Sequence, residues 1–168
     1  INTGIEEGIF DAGRVTLIRS GFDLSAFQRN ERAGSHLRRV LGIPAHVPVA
    51  GTVANFKAQK APMDFVRAMI RVGQQVRGAH FIYAGDGNLR PEAERCVREA
   101  GMADRFHFVG WRRDVARIMS ALDCYVLTSL WEGLPKTVPQ AMSIGLPVVA
   151  TCVGGTPEVV DHGRTGYL

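Results

Sequence analysis

Short runs of β-branched and small apolar residues alternate along this chain with stretches whose apolar positions recur every three or four residues. The runs at residues 47–54, 79–84, 106–109, 124–128 and 147–151 read as strands, with a shorter first strand at 15–18. The stretches at 31–41, 63–76, 90–100, 115–122 and about 138–144 read as helices. This β-α-β-α order predicts an α/β fold, a Rossmann-like parallel sheet flanked by helices.

The helix over 63–76 shows the pattern well. Phe65, Met69, Val72 and Val76 share one face, while Asp64, Arg67, Arg71 and Gln75 share the other. Pro62 and Pro139 suit the first turns of two helices, where a missing N–H costs little. Gly101 and Gly145 suit C-terminal caps.

With 168 residues, 46% hydrophobic and 21% charged, the chain has enough material for one packed domain. Nineteen glycines and eight prolines add turns without a repeating period, which excludes a collagen-like chain. The longest apolar run, at 121–127, is interrupted by Asp123 and falls far short of the ~20 residues that cross a bilayer. The first seven residues carry neither a basic nor an apolar signal-peptide region. Cys96, Cys124 and Cys152 form no C-x-x-C pair, so buried, reduced thiols in a cytoplasmic protein are expected.

The net charge of +4 permits an anionic partner, yet the basic residues are dispersed and no nucleic-acid-binding motif accompanies them. Nucleic acid is therefore not expected. Of the twenty basic side chains just three are lysines, Lys57, Lys60 and Lys136, so seventeen are arginine. All three lysines sit in short glycine- or proline-flanked segments, where a compact ammonium suits a phosphate, and none on an ordinary amphipathic helix face; chance placement is a fair alternative for three residues.

Ligands of open parallel sheets bind beyond the carboxyl ends of the strands. Four loops there carry chemistry. The segment 54–62 contains Asn55, Lys57 and Lys60 and opens a helix, an arrangement that suits phosphate. Gly85 and Gly87 either let a ligand approach the backbone or simply make a tight turn, and the tight turn suffices for these residues alone. The loop from Thr128 to Thr137 is the densest polar one and leads into a helix carrying Gln140. Gly154-Gly155-Thr156-Pro157-Glu158 is a helix cap or a further anion contact. No G-x-G-x-x-G follows the first strand and no Walker lysine motif occurs, which argues against a nicotinamide dehydrogenase and a P-loop ATPase.

The stretch Glu132-Gly-Leu-Pro-Lys-Thr-Val-Pro-Gln140-Ala-Met-Ser-Ile-Gly-Leu-Pro-Val-Val-Ala-Thr151, with Gly154 to Glu158 after it, resembles the donor-binding signature of retaining GT-B glycosyltransferases of family 4, the glycosyl transferases group 1. Arg19-Ser20-Gly21-Phe22-Asp23 resembles the family's asparagine-glycine-aspartate segment, Gly85-Asp86-Gly87 its G-x-G turn, and Phe108-Val109-Gly110 its next strand end. The resemblance implies the C-terminal half of a GT-B fold. Residues 1–14 would end a linker or helix from a missing N-terminal domain, and 15–168 would be a nucleotide-sugar-binding domain truncated at its C-terminus.

It further implies transfer of a glycosyl group, with retention, from a nucleoside diphosphate sugar to a glycan, lipid-linked or small-molecule acceptor on the missing domain. UDP is the expected base, with GDP and ADP next. No cofactor and no metal are expected. Lys60 would contact the donor diphosphate, helped by N–H groups near Lys136 and Thr137. Glu132 would bind a sugar hydroxyl, with Gly133, Leu134 and Pro135 packing beside it; a solvated loop carboxylate is the alternative reading. Arg112 is placed like residues that line the nucleobase pocket, or it opens a solvated helix.

Two positions depart from the family pattern. Gln140 stands where a second glutamate grips the ribose, and Asn55 stands where an arginine is common in the phosphate loop, a contact that Lys57 could replace. These departures keep a non-catalytic interaction module in view. A sugar-nucleotide epimerase is a second alternative with the same architecture. The resemblance also implies a cytoplasmic enzyme of polysaccharide or glycoside biosynthesis, compatible with peripheral contact at the inner membrane face, whose donor half alone is inactive.

Overall fold

The computed structural model describes residues 2–16, 18 and 21–168. The helices are α1 Asn2–Glu6, α2 Glu31–Val40, α3 Pro62–Gln75, α4 Arg90–Glu99, α5 Val115–Ser120 and α6 Thr137–Ser143. The strands are β1 Val49–Val53, β2 His80–Ala84, β3 Phe106–Gly110, β4 Cys124–Leu127, β5 Val148–Ala150 and β6 Gly166–Tyr167. They form one parallel sheet in the order β3-β2-β1-β4-β5-β6. The chain moves outward from β1 through β2 to β3, then returns across the sheet to β4 and moves outward the other way. The reversal lies between β1 and β4, which opens a crevice at their carboxyl ends.

Two hydrophobic clusters cover the sheet. One joins α3 and α4 to β2 and β3 through Phe65, Val66, Met69, Val97, Phe81 and Phe106. The other joins α2, α5 and α6 to β4 and β5 through Leu37, Ile118, Val138, Tyr125 and Val148. Phe65 is sealed from water, so truncating it to alanine would cost about 3–5 kcal/mol. Helix starts and stops obey local chemistry. Asn30 caps α2 by accepting from the Ala33 amide, and Gly101 and Gly145 take positive φ just past α4 and α6.

Three expectations are corrected. Val15, Thr16 and Ile18 are not in a strand, and Leu17 lies outside the described residues; the sixth strand is Gly166–Tyr167 at the far edge, paired with β5, where the sequence Gly166-Tyr167-Leu168 itself reads as the start of a strand. The apolar face of α3 is turned from Val76, which is exposed, onto Val66 and Gly73, because Gly73 faces Met102 and Phe81 so closely that a Cβ would overlap Met102. The three cysteines are unpaired but not buried: Cys96 and Cys124 are half-buried, and Cys152, in the loop after β5, is exposed. Of the segment likened to the asparagine-glycine-aspartate motif, Arg19 and Ser20 lie outside the described residues, and Asp23 caps a short 3-10 turn by accepting from Ser25. Among the described residues no helix is long and apolar enough to cross a membrane.

Candidate functional site

β1 ends at Val53, and the chain runs through Asn55 and a 3-10 turn, Ala58–Lys60, into α3. Proline at the first position of α3 disfavours right-handed helical backbone at Ala61. Ala61 adopts φ +42°, the one positive φ at a non-glycine among the described residues. The hydroxyl of Thr128, at the end of β4, donates to the carbonyls of both Lys60 and Ala61 at 3.1 Å. The strained residue is thus held from the neighbouring strand.

Lys60 reaches back across the crevice. Its Nζ donates to Glu132 Oε1 at 2.5 Å, and Ser129 Oγ donates to the same oxygen at 2.6 Å. The Glu132 side chain is only 6% exposed and that of Lys60 19%, which overturns the reading of Glu132 as a solvated loop carboxylate. A carboxylate taken this far from water needs a cation or hydrogen-bond donors, and Lys60 and Ser129 provide both.

The loop carrying Glu132 is supported from β5. Gly155 N–H donates to the Gly133 carbonyl at 2.6 Å, and Gly154, at φ +53°, lies against the Glu132 carbonyl so closely that a Cβ would overlap it. Gly85 and Gly87 do a similar job on the other side. Each would drive a Cβ into a backbone carbonyl, of Ala54 and Phe56 respectively, and Phe56 N–H donates to the Asp86 carbonyl. The glycines of both motifs serve close backbone approach between adjacent loops.

Tyr125, fully buried on β4, donates to Thr137 Oγ1 at 2.7 Å at the start of α6, and burial raises its phenol so that it remains a donor. Arg112 forms a two-pronged ion pair with Asp114, Nε to Oδ1 at 2.8 Å and Nη2 to Oδ2 at 2.6 Å. Those hydrogen bonds raise the Arg112 guanidinium and lower the Asp114 carboxyl. Beside it Trp111 is exposed, with the Arg113 guanidinium 5.5 Å from its ring centroid.

These elements surround a cavity of about 440 Å³ at the carboxyl ends of β1 to β4. Of the residues singled out in the sequence, Asn55, Lys60, Gly85, Arg112, Glu132, Leu134, Pro135, Lys136 and Thr137 line it. Lys57, Gly87, Gly133 and Gln140 do not. Lys57 is exposed at the residue before the 3-10 turn, while Lys60 lines the cavity together with Asn55. Gln140 sits half-buried on α6. Trp111 and Val115 line the cavity without having been singled out as site residues. Ser129 was missed as well, since nothing in a polar loop marks which hydroxyl turns inward. A second cavity, of about 310 Å³, lies at the other ends of the strands, by Arg38 and Asp123. Arg38 is already occupied there by Asp123 and by the carbonyls of Ala121 and Val47.

The arrangement pairs a half-buried cation with a buried carboxylate at a topological switch point, and a basic residue, Lys136, flanks the rim. It suits a ligand that presents anionic oxygens at one end and hydroxyls at the other.

Comparison with known proteins bears on which ligand this is. Residues 47–168 match the family described as glycosyl transferases group 1. Over 167 residues the chain is 29% identical to the Escherichia coli UDP-Gal:alpha-D-GlcNAc-diphosphoundecaprenol alpha-1,3-galactosyltransferase, covering 98% of this chain and 43% of that protein. It is 39% identical over 134 residues to the 2-deoxystreptamine N-acetyl-D-glucosaminyltransferase of Streptomyces fradiae, covering 77% of this chain and 32% of that one. The crystal structure of Anabaena Alr3699/HepE in complex with UDP and glucose superposes with a TM-score of 0.88 at 27% identity, over 99% of this chain and 46% of that one. The chain thus spans less than half the length of each, and its fold is the Rossmann-like C-terminal half of a GT-B architecture. By the match over residues 47–168, the chain belongs to the glycosyl transferases group 1.

Proposed function

We propose that this chain is the donor-binding part of a retaining, family 4 glycosyltransferase that uses a UDP-sugar. The observation that carries the reading is the contact of Lys60 Nζ with Glu132 Oε1 at 2.5 Å on the wall of the crevice. Lys60 meets the diphosphate and Glu132 accepts from a sugar hydroxyl, so the contact sits where the phosphate and sugar ends of the donor join. Departure of UDP builds charge on its β-phosphate, and an ammonium held in a partly dry site stabilises that charge. The Anabaena neighbour, crystallised with UDP and glucose, supports the same class of donor.

The acceptor, a glycan, lipid-linked or small molecule, is held by an N-terminal domain outside this chain, with residues 1–14 as the connection to it. Transfer needs both reactants in one cleft, so the donor half alone is inactive. The names of relatives support a place in lipid-linked glycan or glycoside synthesis; a cytoplasmic location, with peripheral contact at the inner membrane face, is part of the same proposal.

The test is thermal unfolding with UDP, GDP, ADP and NAD at matched concentrations. A ligand at a hundred times its Kd adds about 2.7 kcal/mol, which raises the Tm of a domain of this size by roughly 5–10 °C. A selective rise with UDP is expected. Equal response to all four, or to NAD alone, would remove the reading.

A further inference from the structure

Glu132 is held unevenly. Both of its protein donors, Lys60 Nζ and Ser129 Oγ, reach Oε1, while Oε2 has no hydrogen-bond partner among the described residues. Ser129 is entirely buried, and its own carbonyl is fixed by Thr151 Oγ1 at 2.6 Å. The hydroxyl therefore cannot turn to solvent for another partner. The preceding Thr128 binds the Lys60 and Ala61 carbonyls, so adjacent residues at the end of β4 hold both members of the ion pair, one through backbone and the other through the side chain.

We infer that Ser129 is a positioning residue for donor recognition: by saturating Oε1 together with Lys60, it presents Oε2 of Glu132 as the acceptor for a hydroxyl of the donor sugar. This rests on the donor-site reading above. A carboxylate with both oxygens free rotates about its terminal bond, and either oxygen then serves. Pinning one oxygen from a buried strand end fixes the carboxylate plane and selects a hydroxyl by its direction. Ser129 acts on the sugar only; the diphosphate is reached by Lys60.

The inference separates two binding energies that a merely structural role would move together. Calorimetric titration of this chain with UDP and with UDP-glucose is compared for the wild type and for Ser129→Ala. A second variant, Ser129→Cys, keeps the side-chain shape with a slightly larger atom and replaces the hydroxyl with a weak donor. Loss of a hydrogen bond to a charged group predicts about tenfold weaker UDP-glucose binding, with UDP changed less than about twofold. In a Glu132→Gln background, Ser129→Ala is expected to add little, because the serine works through that carboxylate.

Parallel weakening of UDP and UDP-glucose in both serine variants, or unchanged UDP-glucose affinity in both, overturns the role of Ser129. Additive losses in the double variant overturn it as well. A wild-type chain that binds neither ligand overturns the donor reading itself, and the inference with it.

Discussion

Gly154 lies directly beneath the carbonyl of Glu132, with φ +53° and no room for a Cβ. Alanine there meets two penalties, a left-handed backbone and an overlap with main-chain atoms that cannot swing aside. Gly154→Ala is expected to lower stability by about 2–3 kcal/mol, or roughly 4–12 °C in Tm. Differential scanning calorimetry reads this directly. Because the displaced atom belongs to Glu132, UDP-glucose affinity should fall further than UDP affinity.

Lys60→Ala leaves Glu132 in a site only 6% exposed with Ser129 as its remaining donor. Breaking a buried pair in this way costs about 3–5 kcal/mol, and the partial exposure of Lys60 places this one toward the low end. UDP affinity should drop about tenfold or more, and kcat of the whole enzyme about a hundredfold. Wild-type turnover by Lys60→Ala would remove the lysine from the mechanism.

Ala61→Gly is expected to stabilise. Alanine at φ +42° carries roughly 1–2 kcal/mol of strain, partly offset by the greater entropy that glycine loses on folding. Glycine is also the better residue at the N-terminal cap of α3. The net gain is about 0.5–1 kcal/mol, measured as a higher urea midpoint with an unchanged slope. A lower midpoint would mean that the strain is relieved by something other than backbone freedom.

His80 Nδ1 and His107 Nε2 stand 3.0 Å apart on neighbouring strands, a contact that needs at least one neutral ring. Burial holds both below the usual imidazole range, His107 down to about 4. The unfolded chain therefore takes up protons near pH 6.5 that the folded chain refuses. Their contribution is fully present above pH 6.5 and is lost as pH falls toward about 4. Urea midpoints at pH 7.5, 5.5 and 4.5 should decline in that window, and His107→Gln should flatten the decline.

Much of this was legible in the sequence. Helices α2 to α6 were placed within a residue or two because Pro62, Gly101 and Gly145 mark their ends locally, whereas α1 was not. The five main strands were visible because a buried parallel strand is a run of apolar residues. Gly166-Tyr167-Leu168 reads in the sequence as the start of a further strand, and Gly166–Tyr167 is one, paired with β5; Val15 resembles a strand only in composition. Lys60 stands out in the sequence in the polar loop that opens a helix, and Glu132 at the start of the stretch that carries the family resemblance. Their direct contact does not, because 72 positions separate them and only the return from β3 to β4 joins them. Gly85 and Gly87 read in the sequence as a tight turn or a ligand contact, and Gly154 and Gly155 as a helix cap or an anion contact; in the structure all four allow close approach to the backbone of a neighbouring loop.

Those loop contacts have a consequence for how the site changes over time. Gly85 N–H is bound to the Gly110 carbonyl, Phe56 N–H to Asp86, Leu130 N–H to Gln59, and Gly155 N–H to Gly133, so each loop at this end of the sheet is hydrogen-bonded to another. An inserted or deleted residue in one loop would break its register with the next, as a missing course of bricks unsettles the wall beside it. If this edge holds a nucleotide sugar, as proposed above, a change of ligand preference is expected to be tolerated more readily through side-chain exchange than through a change of loop length. The loop ends at this edge of the sheet brace one another, so on the donor-site reading proposed above a bound ligand would leave through movement of whatever faces them rather than of these loops.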